Sequence, residues 1–148
     1  MKRPKRDIAL LAVALIGLIL ASYAMTLHYK PNKDSFCNIN ETFNCDKVNK
    51  SPWAVFFGIP VSVLGTLSYL AVFLIVLKKR SLMRWLAFTE RDFDIYLLLL
   101  AIVMFCFQLY LTYAEFFWIH AYCIVCFGSQ LCTLLLGFIA FREYRIRK

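Results

Sequence analysis

The chain has 148 residues, 61% of them hydrophobic, and a formal net charge of +8. Together with a mean hydropathy of +0.66, this composition excludes an ordinary soluble globular domain. The basic residues do not indicate nucleic-acid binding, because long apolar stretches separate them into groups. We therefore expect a single domain, residues 1–148, embedded in lipid.

Four stretches are long and apolar enough to cross a membrane as helices, which takes about 20 residues. They lie at about residues 8–27, 53–77, 93–113 and 120–141. A backbone in hydrocarbon must satisfy its own hydrogen bonds, and these runs lack the alternation of a membrane barrel. The sequence predicts an all-α integral membrane protein, a four-helix transmembrane bundle with one long loop at 28–52.

The first stretch also has features of a signal peptide. It follows the basic segment 2–6, and residues 21–24 resemble a cleavage site. The apolar core of a signal peptide has about 7–15 residues, and this stretch is longer. We interpret it as a helix that remains in the protein.

The basic residues predict the orientation. They concentrate in segments 2–6, 78–91 and 142–148, whereas loop 28–52 has four lysines and the turn around Glu115 has none. Short loops rich in lysine and arginine stay on the cytoplasmic side. We expect a multi-pass protein of the cell (inner) membrane with both termini cytoplasmic and loop 28–52 extracytoplasmic.

Loop 28–52 contains two cysteines, Cys37 and Cys45, with seven residues between them. Disulfides form and persist outside the cytoplasm, which is where the topology places this loop. Asn40-Glu41-Thr42 within the loop matches a glycosylation sequon, although short chance matches are common.

The start of the second stretch carries turn signals. Ser51-Pro52-Trp53 has the capping residue and first-turn proline of a helix start. Gly58-Ile59-Pro60 then interrupts the run, and a proline there bends a helix. A bend at the outer end of this helix would leave room for a flat ligand. Ordinary helix packing explains Gly58 equally well.

The fourth stretch opens with a second pair, Cys123 and Cys126, in a Cys-x-x-Cys unit. Such a unit at a helix N-terminus favours the thiolate form and closes a readily reversible disulfide. Two pairs on one membrane face suggest an electron relay. Cys106 and Cys132 lie inside spans, where a cysteine usually packs as a small hydrophobe.

Two other interpretations remain open. The disulfides would be inert if the chain were a non-catalytic four-helix membrane scaffold braced by its outer loop. A metal carrier would use Cys123, Cys126 and His120, but the chain has only two histidines. We predict no metal site.

In the order and spacing of these features, the chain resembles the vitamin K epoxide reductase family, in particular its single-domain bacterial and archaeal members. The resemblance rests on Cys37 and Cys45, Ser51 six residues later, Phe57-Gly58-Ile59-Pro60, and Cys123 with Cys126. The disulfide-forming protein DsbB has two similar pairs in the reverse order.

The resemblance implies a catalytic role for each cysteine of the two pairs. Cys37 would exchange with a separate DsbA-like thioredoxin-fold protein, since this chain contains no such domain. Cys45 would pass the electrons to Cys123, and Cys126 to a quinone. Ser51 would match a family serine or threonine near the redox centre, a role that competes with its interpretation as a helix cap.

The acceptor is expected to be a membrane quinone of the ubiquinone or menaquinone class. A DsbA-like partner has a reduction potential near −120 mV, so its reoxidation requires a still stronger oxidant. Aromatic and polar neighbours of the cysteines are predicted to contact the quinone: Phe56, Phe57, Phe127 and Gln130. The chain departs from the animal enzymes at Gln130, where they have tyrosine, and at Ala54, where they have an asparagine. Vitamin K epoxide chemistry is therefore not expected.

Overall fold

The computed structural model describes residues 4–30 and 35–146. Residues 1–3, 31–34 and 147–148, which contain parts of the predicted basic ends and of the loop, lie outside the described residues. The elements are α1 (Pro4–Tyr29), α2 (Cys45–Asn49), a 3-10 turn (Pro52–Ala54), β1 (Val55–Phe56), β2 (Ile59–Pro60), α3 (Val61–Leu77), α4 (Lys79–Leu86), α5 (Glu90–Ala114), a π-turn (Glu115–Ile119) and α6 (Ile124–Ile146).

Within the described residues, three helical segments are long and apolar enough to cross a membrane: Lys5–Tyr29, Glu90–Ile119 and Ile124–Ile146. A fourth candidate span is α3 together with α4, which meet at a bend of 79°. α3 alone has 17 residues, at the lower end of what crosses a hydrocarbon core of about 30 Å. The prediction of an all-helical membrane bundle is confirmed.

α1 lies between α3 and α6, and α5 packs on the other side of α6. Tyr69 of α3 is fully buried and lies against Gly17 of α1, where any side chain would collide with its ring. Its hydroxyl donates to the carbonyl of Ser129 on α6 at 2.5 Å. α3 and α5, in contrast, make few contacts. This leaves an α3–α5 seam along the side of the bundle.

A network of charged side chains joins the helices at the end of the bundle where α1 begins. Its members are Arg6, Asp7, Lys79, Glu90, Asp94 and Glu143. The guanidinium of Arg6 lies 3.0 Å from Asp94, and the ammonium of Lys79 lies 2.6 Å from Glu90. Both bases are buried, and buried charges require such partners. The network therefore stabilises the packing of α1, α4, α5 and α6 at this end of the bundle.

The structure corrects the start of the second predicted helix. α3 begins at Val61, and β1 and β2 form a short antiparallel hairpin before it. The turn residues Phe57 and Gly58 have φ angles of 50° and 80°, far from the helical region. Pro60 has no N–H to donate, so helical hydrogen bonding is established only beyond it.

The fourth predicted helix, 120–141, is also displaced. α6 runs from Ile124 to Ile146. The third span continues through the π-turn, and His120 ends it with a left-handed φ of 52°. A left-handed residue is a common way to end a helix. The segment between the two spans is therefore only four residues long, 120–123, and its last residue, Cys123, immediately precedes α6.

Candidate redox site

The two cysteine pairs are both joined. Cys37 is paired with Cys45, with their Cα atoms 5.7 Å apart, and Cys123 with Cys126 at 5.1 Å. The first three of these cysteines are fully buried, and Cys126 is half-buried. They lie in one apolar group, called the cysteine cluster, of Ala24, Leu27, Cys37, Cys45, Val48, Ala121, Cys123 and Val125, with Cys126 packed against it. The chain thus brings together all four predicted redox cysteines.

A tight turn brings Cys37 and Cys45 together. The side-chain oxygen of Asn40 accepts from the backbone N–H groups of Thr42 and Phe43 at 2.9 and 2.7 Å. Asparagine favours turns because its side chain can bond to the backbone in this way. The turn reverses the chain, so that the seven intervening residues form a compact loop with a cysteine at each end.

The same loop docks on the segment before α6. The N–H of Tyr122 donates to the carbonyl of Thr42 at 2.7 Å, and its carbonyl accepts from the N–H of Asn44 at 3.2 Å. Tyr122 is the residue immediately before Cys123. These backbone bonds therefore fix the position of one cysteine pair relative to the other.

Asn49 connects the two pairs through its side chain. Its buried amide nitrogen donates to the carbonyl of Cys45 at 2.9 Å and lies 3.7 Å from the sulfur of Cys123. The imidazole Nδ1 of His28 contacts the carbonyl of Asn49 at 2.5 Å. Nothing in the local sequence distinguishes this residue, because asparagine is common in polar loops.

The start of α6 stabilises the sulfur of Cys123. Cys123 immediately precedes the helix, and its sulfur accepts from the N–H of Cys126 at 3.1 Å. The free N–H groups and the dipole of a helix N-terminus favour negative charge. The geometry therefore supports a thiolate on Cys123 once the disulfide is opened.

Glu115 is a buried acid whose place in the sequence indicates only the turn between the third and fourth spans. It is 2% exposed, and its carboxylate accepts from the N–H of Cys123 at 3.3 Å. It lies at the start of the π-turn, a helix irregularity that is frequent at functional sites. A carboxyl group in an otherwise apolar turn was the available signal.

Ser51 does not cap a helix in the structure. Its side chain makes no cap bond and instead donates to the carbonyl of Val48 at 2.8 Å. Val48 belongs to the cysteine cluster. Ser51 therefore stabilises the end of α2 and contacts the cysteine cluster through Val48.

A cavity of about 80 Å³ opens beside Cys126 between α1, α3, α5 and α6. Its walls are mainly apolar, with Ser62, Gln108 and Ser129 among the few polar residues. A second cavity of about 240 Å³ lies along the α3–α5 seam and shares Val61, Gly65 and Gln108 with the first. Of the four paired cysteines, only Cys126 lines either cavity.

The four predicted quinone neighbours lie outside the walls of both cavities. Phe57 is 90% exposed at the hairpin turn, and Phe127 is 40% exposed. Phe56 contacts Phe107, a residue of the second cavity, with ring centroids 5.0 Å apart. Gln130 accepts from the hydroxyl of Thr112 at 3.4 Å.

The remaining cysteines are unpaired. Cys132 is buried, as expected of a packing residue, but Cys106 is exposed on the side of the bundle. The prediction that Cys106 packs inside the bundle is therefore corrected, because its helix face points outward. Among residues 4–30 and 35–146, no group of three acidic, histidine or cysteine side chains is arranged to hold a metal ion.

Comparison with known proteins assigns the chain to a family. The profile described as the vitamin K epoxide reductase family matches residues 8–141. The rat protein named vitamin K epoxide reductase complex subunit 1 is 30% identical, over 93% of this chain and 92% of its own length. The mouse protein of the same name is 28% identical over the same shares. The chain therefore belongs to the vitamin K epoxide reductase family of membrane thiol oxidoreductases.

Proposed function

We propose that this protein forms disulfides by passing electrons from a separate thioredoxin-fold protein, through Cys37 and Cys45 and then Cys123 and Cys126, to a membrane quinone. One observation carries the proposal. Both pairs lie in a single buried cluster, and only Cys126 also borders the apolar cavity. A scaffold with structural disulfides has no need for this arrangement.

The exchange steps balance without any further reagent. A thiolate of the partner attacks Cys37, which breaks the bond to Cys45 and forms a mixed disulfide. The second partner thiol then releases the oxidised partner and leaves Cys37 and Cys45 reduced. Cys45 attacks Cys123 in the same way and displaces Cys126, and Cys37 then attacks Cys45 to restore the loop disulfide.

The last step transfers the electrons to the quinone. Cys123 and Cys126, now reduced, form their disulfide again and give up two electrons and two protons. The quinone accepts both and becomes a hydroquinone. The driving force requires an acceptor stronger than a DsbA-like disulfide, and a lipid-soluble quinone meets that requirement.

The size of the cavities indicates where the quinone ring would lie. A cavity that accepts benzene has about 150 Å³, which is more than the 80 Å³ beside Cys126. The second cavity adds 240 Å³ along the seam. We therefore place the ring across both cavities, with entry from lipid between α3 and α5.

The loop is the proposed docking surface for the partner. Phe36 and Ile39, on either side of Cys37, are 72% and 66% exposed and offer apolar contacts. Cys37 itself is fully buried, so docking must open the loop before exchange begins. The charge pattern supports placing this surface outside the cell membrane and both termini in the cytoplasm.

The relatives' name raises vitamin K epoxide as a rival substrate. Gln130 and Ala54 replace residues expected at the quinone site of the animal enzymes, and Gln130 lies outside both cavities. We therefore propose that disulfide formation uses a quinone, and not a quinone epoxide, as the electron acceptor. An assay arm with vitamin K epoxide and dithiothreitol tests the rival directly.

The central experiment uses the purified protein in lipid nanodiscs with a reduced DsbA-like protein and a short-chain ubiquinone. We expect loss of partner thiols over many turnovers only when quinone is present; without quinone, the loss should stop once the two disulfides of the protein have been reduced. Cys126→Ser should abolish the reaction, and the matched variant Cys106→Ser should retain it. Two unreactive disulfides in the wild type would favour the scaffold and refute the proposal.

A further inference from the structure

Gln108 is the polar side chain common to the two cavities. It lies on α5, in the middle of an apolar span, and lines both the cavity beside Cys126 and the cavity of the seam. Position alone makes it a candidate for contact with a ligand that lies across both. The inference below rests on the proposed quinone reduction and concerns how the quinone is held.

One atom of Gln108 has no partner. The amide nitrogen donates to the hydroxyl of Ser129 at 3.2 Å, but the amide oxygen is buried and has no hydrogen-bond partner in the part of the chain that the structure describes. Such a group is costly in an apolar site, and a bound water or ligand can satisfy it. A ligand in the cavities would supply the missing donor.

The amide is held by a chain of polar groups inside the bundle. Ser129 donates to the hydroxyl of Tyr69 at 3.2 Å, and that hydroxyl lies 2.7 Å from the hydroxyl of Thr133. These contacts link α5, α6 and α3 and limit rotation of the Gln108 side chain. The unpaired oxygen is therefore directed by a fixed network and does not belong to a loose surface residue.

The network also relates Gln108 to the reactive sulfur. Ser129 follows Cys126 by three residues on α6, and residues with this spacing lie on the same face of a helix. Both line the first cavity. A ring with one oxygen at Gln108 would therefore lie alongside Cys126.

We propose that Gln108 is the residue that recognises the quinone head group in both redox states. The second N–H of its amide donates to a carbonyl of the quinone, and its free oxygen accepts from a hydroxyl of the hydroquinone. A quinone carbonyl cannot donate, so the unpaired oxygen is satisfied only after reduction. The site consequently binds the product more tightly than an apolar cavity would.

The test compares Gln108→Met with Thr66→Val in nanodiscs. Methionine keeps the length of the side chain and removes both amide atoms. The hydroxyl of Thr66 donates to the carbonyl of Ser62 on the same helix at 2.8 Å, and Thr66 lines neither cavity. With dithiothreitol as donor and a short-chain ubiquinone as acceptor, we expect Gln108→Met to raise KM for the quinone about tenfold, equivalent to about 1.4 kcal/mol. The inhibition constant of the added hydroquinone should rise by at least as much, and Thr66→Val should change neither.

A second readout separates this inference from the proposed function. Without quinone, a single turnover of thiol exchange with the reduced partner should be unchanged in Gln108→Met. Wild-type protein that exchanges thiols but reduces no quinone would refute the proposed function. Wild-type protein that reduces quinone, with an unchanged KM in Gln108→Met, would overturn the role of Gln108 alone.

A fold control covers the case in which Gln108→Met also loses thiol exchange. Ser129→Ala then decides, because it leaves Gln108 in place and removes the hydroxyl that accepts from the Gln108 amide and donates to Tyr69. A rise in KM of about threefold supports the inference, and an unchanged KM overturns it.

Discussion

Replacing Asn49 with leucine should slow electron transfer between the two cysteine pairs about fivefold. The variant keeps the shape of the side chain but loses the bond to the carbonyl of Cys45 and the contact with the sulfur of Cys123, at 2.9 and 3.7 Å. A neutral hydrogen bond contributes about 1 kcal/mol, and the long contact with sulfur contributes less. A loss of about 1 kcal/mol in the transition state corresponds to the fivefold effect.

Quenched-flow alkylation and mass spectrometry would measure this step. The reduced partner is mixed with the protein in the absence of quinone, and the opening of the Cys123 disulfide is followed in time. Asn44→Ala is the matched control, since the Asn44 side chain caps α2 by accepting from the N–H of Lys47 at 2.9 Å. We expect the control to slow the step less than twofold. Equal slowing in both variants would show that Asn49 acts only by holding α2 in place, and an unchanged rate in Asn49→Leu would refute its role.

Three further predictions follow from the packing and the order of the relay. Cys123→Ser should abolish oxidation of partner thiols, whereas Cys106→Ser should keep the rate within a few-fold of the wild type; similar losses in a thiol assay would contradict the division between paired and unpaired cysteines. Cys126→Ser should trap Cys45 in a disulfide with Cys123, which mass spectrometry of proteolytic fragments would identify; a link from the other loop cysteine would reverse the order of the relay. Gly17→Ala should destabilise the bundle by about 1–3 kcal/mol, because its methyl group meets a buried aromatic ring; a thermal unfolding midpoint equal to that of the wild type would show that the ring moves aside freely.

The helices and the cysteine pairs could be predicted from the sequence because their signals are local. Apolar runs of sufficient length define the spans, and the Cys-x-x-Cys spacing places two sulfurs within bonding reach on one helix turn. The limits of the second helix could not be predicted in the same way. Phe57 adopts a left-handed φ of 50°, which non-glycine residues seldom do, and a composition-based reading of an apolar run gives no sign of it.

The residues around the cysteines were harder to predict because their roles depend on contacts between distant segments. Asn49 and Glu115 reach Cys123 only after the loop and the π-turn have packed together. Gln108 lies in a run of apolar residues, and its partner Ser129 is on another helix. Proximity to the cysteines along the chain does not indicate the direction of an aromatic side chain, and Phe57 lies exposed at the hairpin turn.

The most direct test of the relay is its stoichiometry under anaerobic conditions. Wild-type protein in nanodiscs is mixed with a known excess of the reduced thioredoxin-fold partner and a limiting amount of short-chain ubiquinone, and thiols and hydroquinone are counted together. After correction for the protein's own disulfides, the proposed relay predicts two thiols lost from the partner for each quinone reduced, with no hydroquinone formed by Cys126→Ser. Thiol loss that continues beyond the capacity of the protein's own disulfides without hydroquinone formation, or hydroquinone formation that persists in Cys126→Ser, would contradict it.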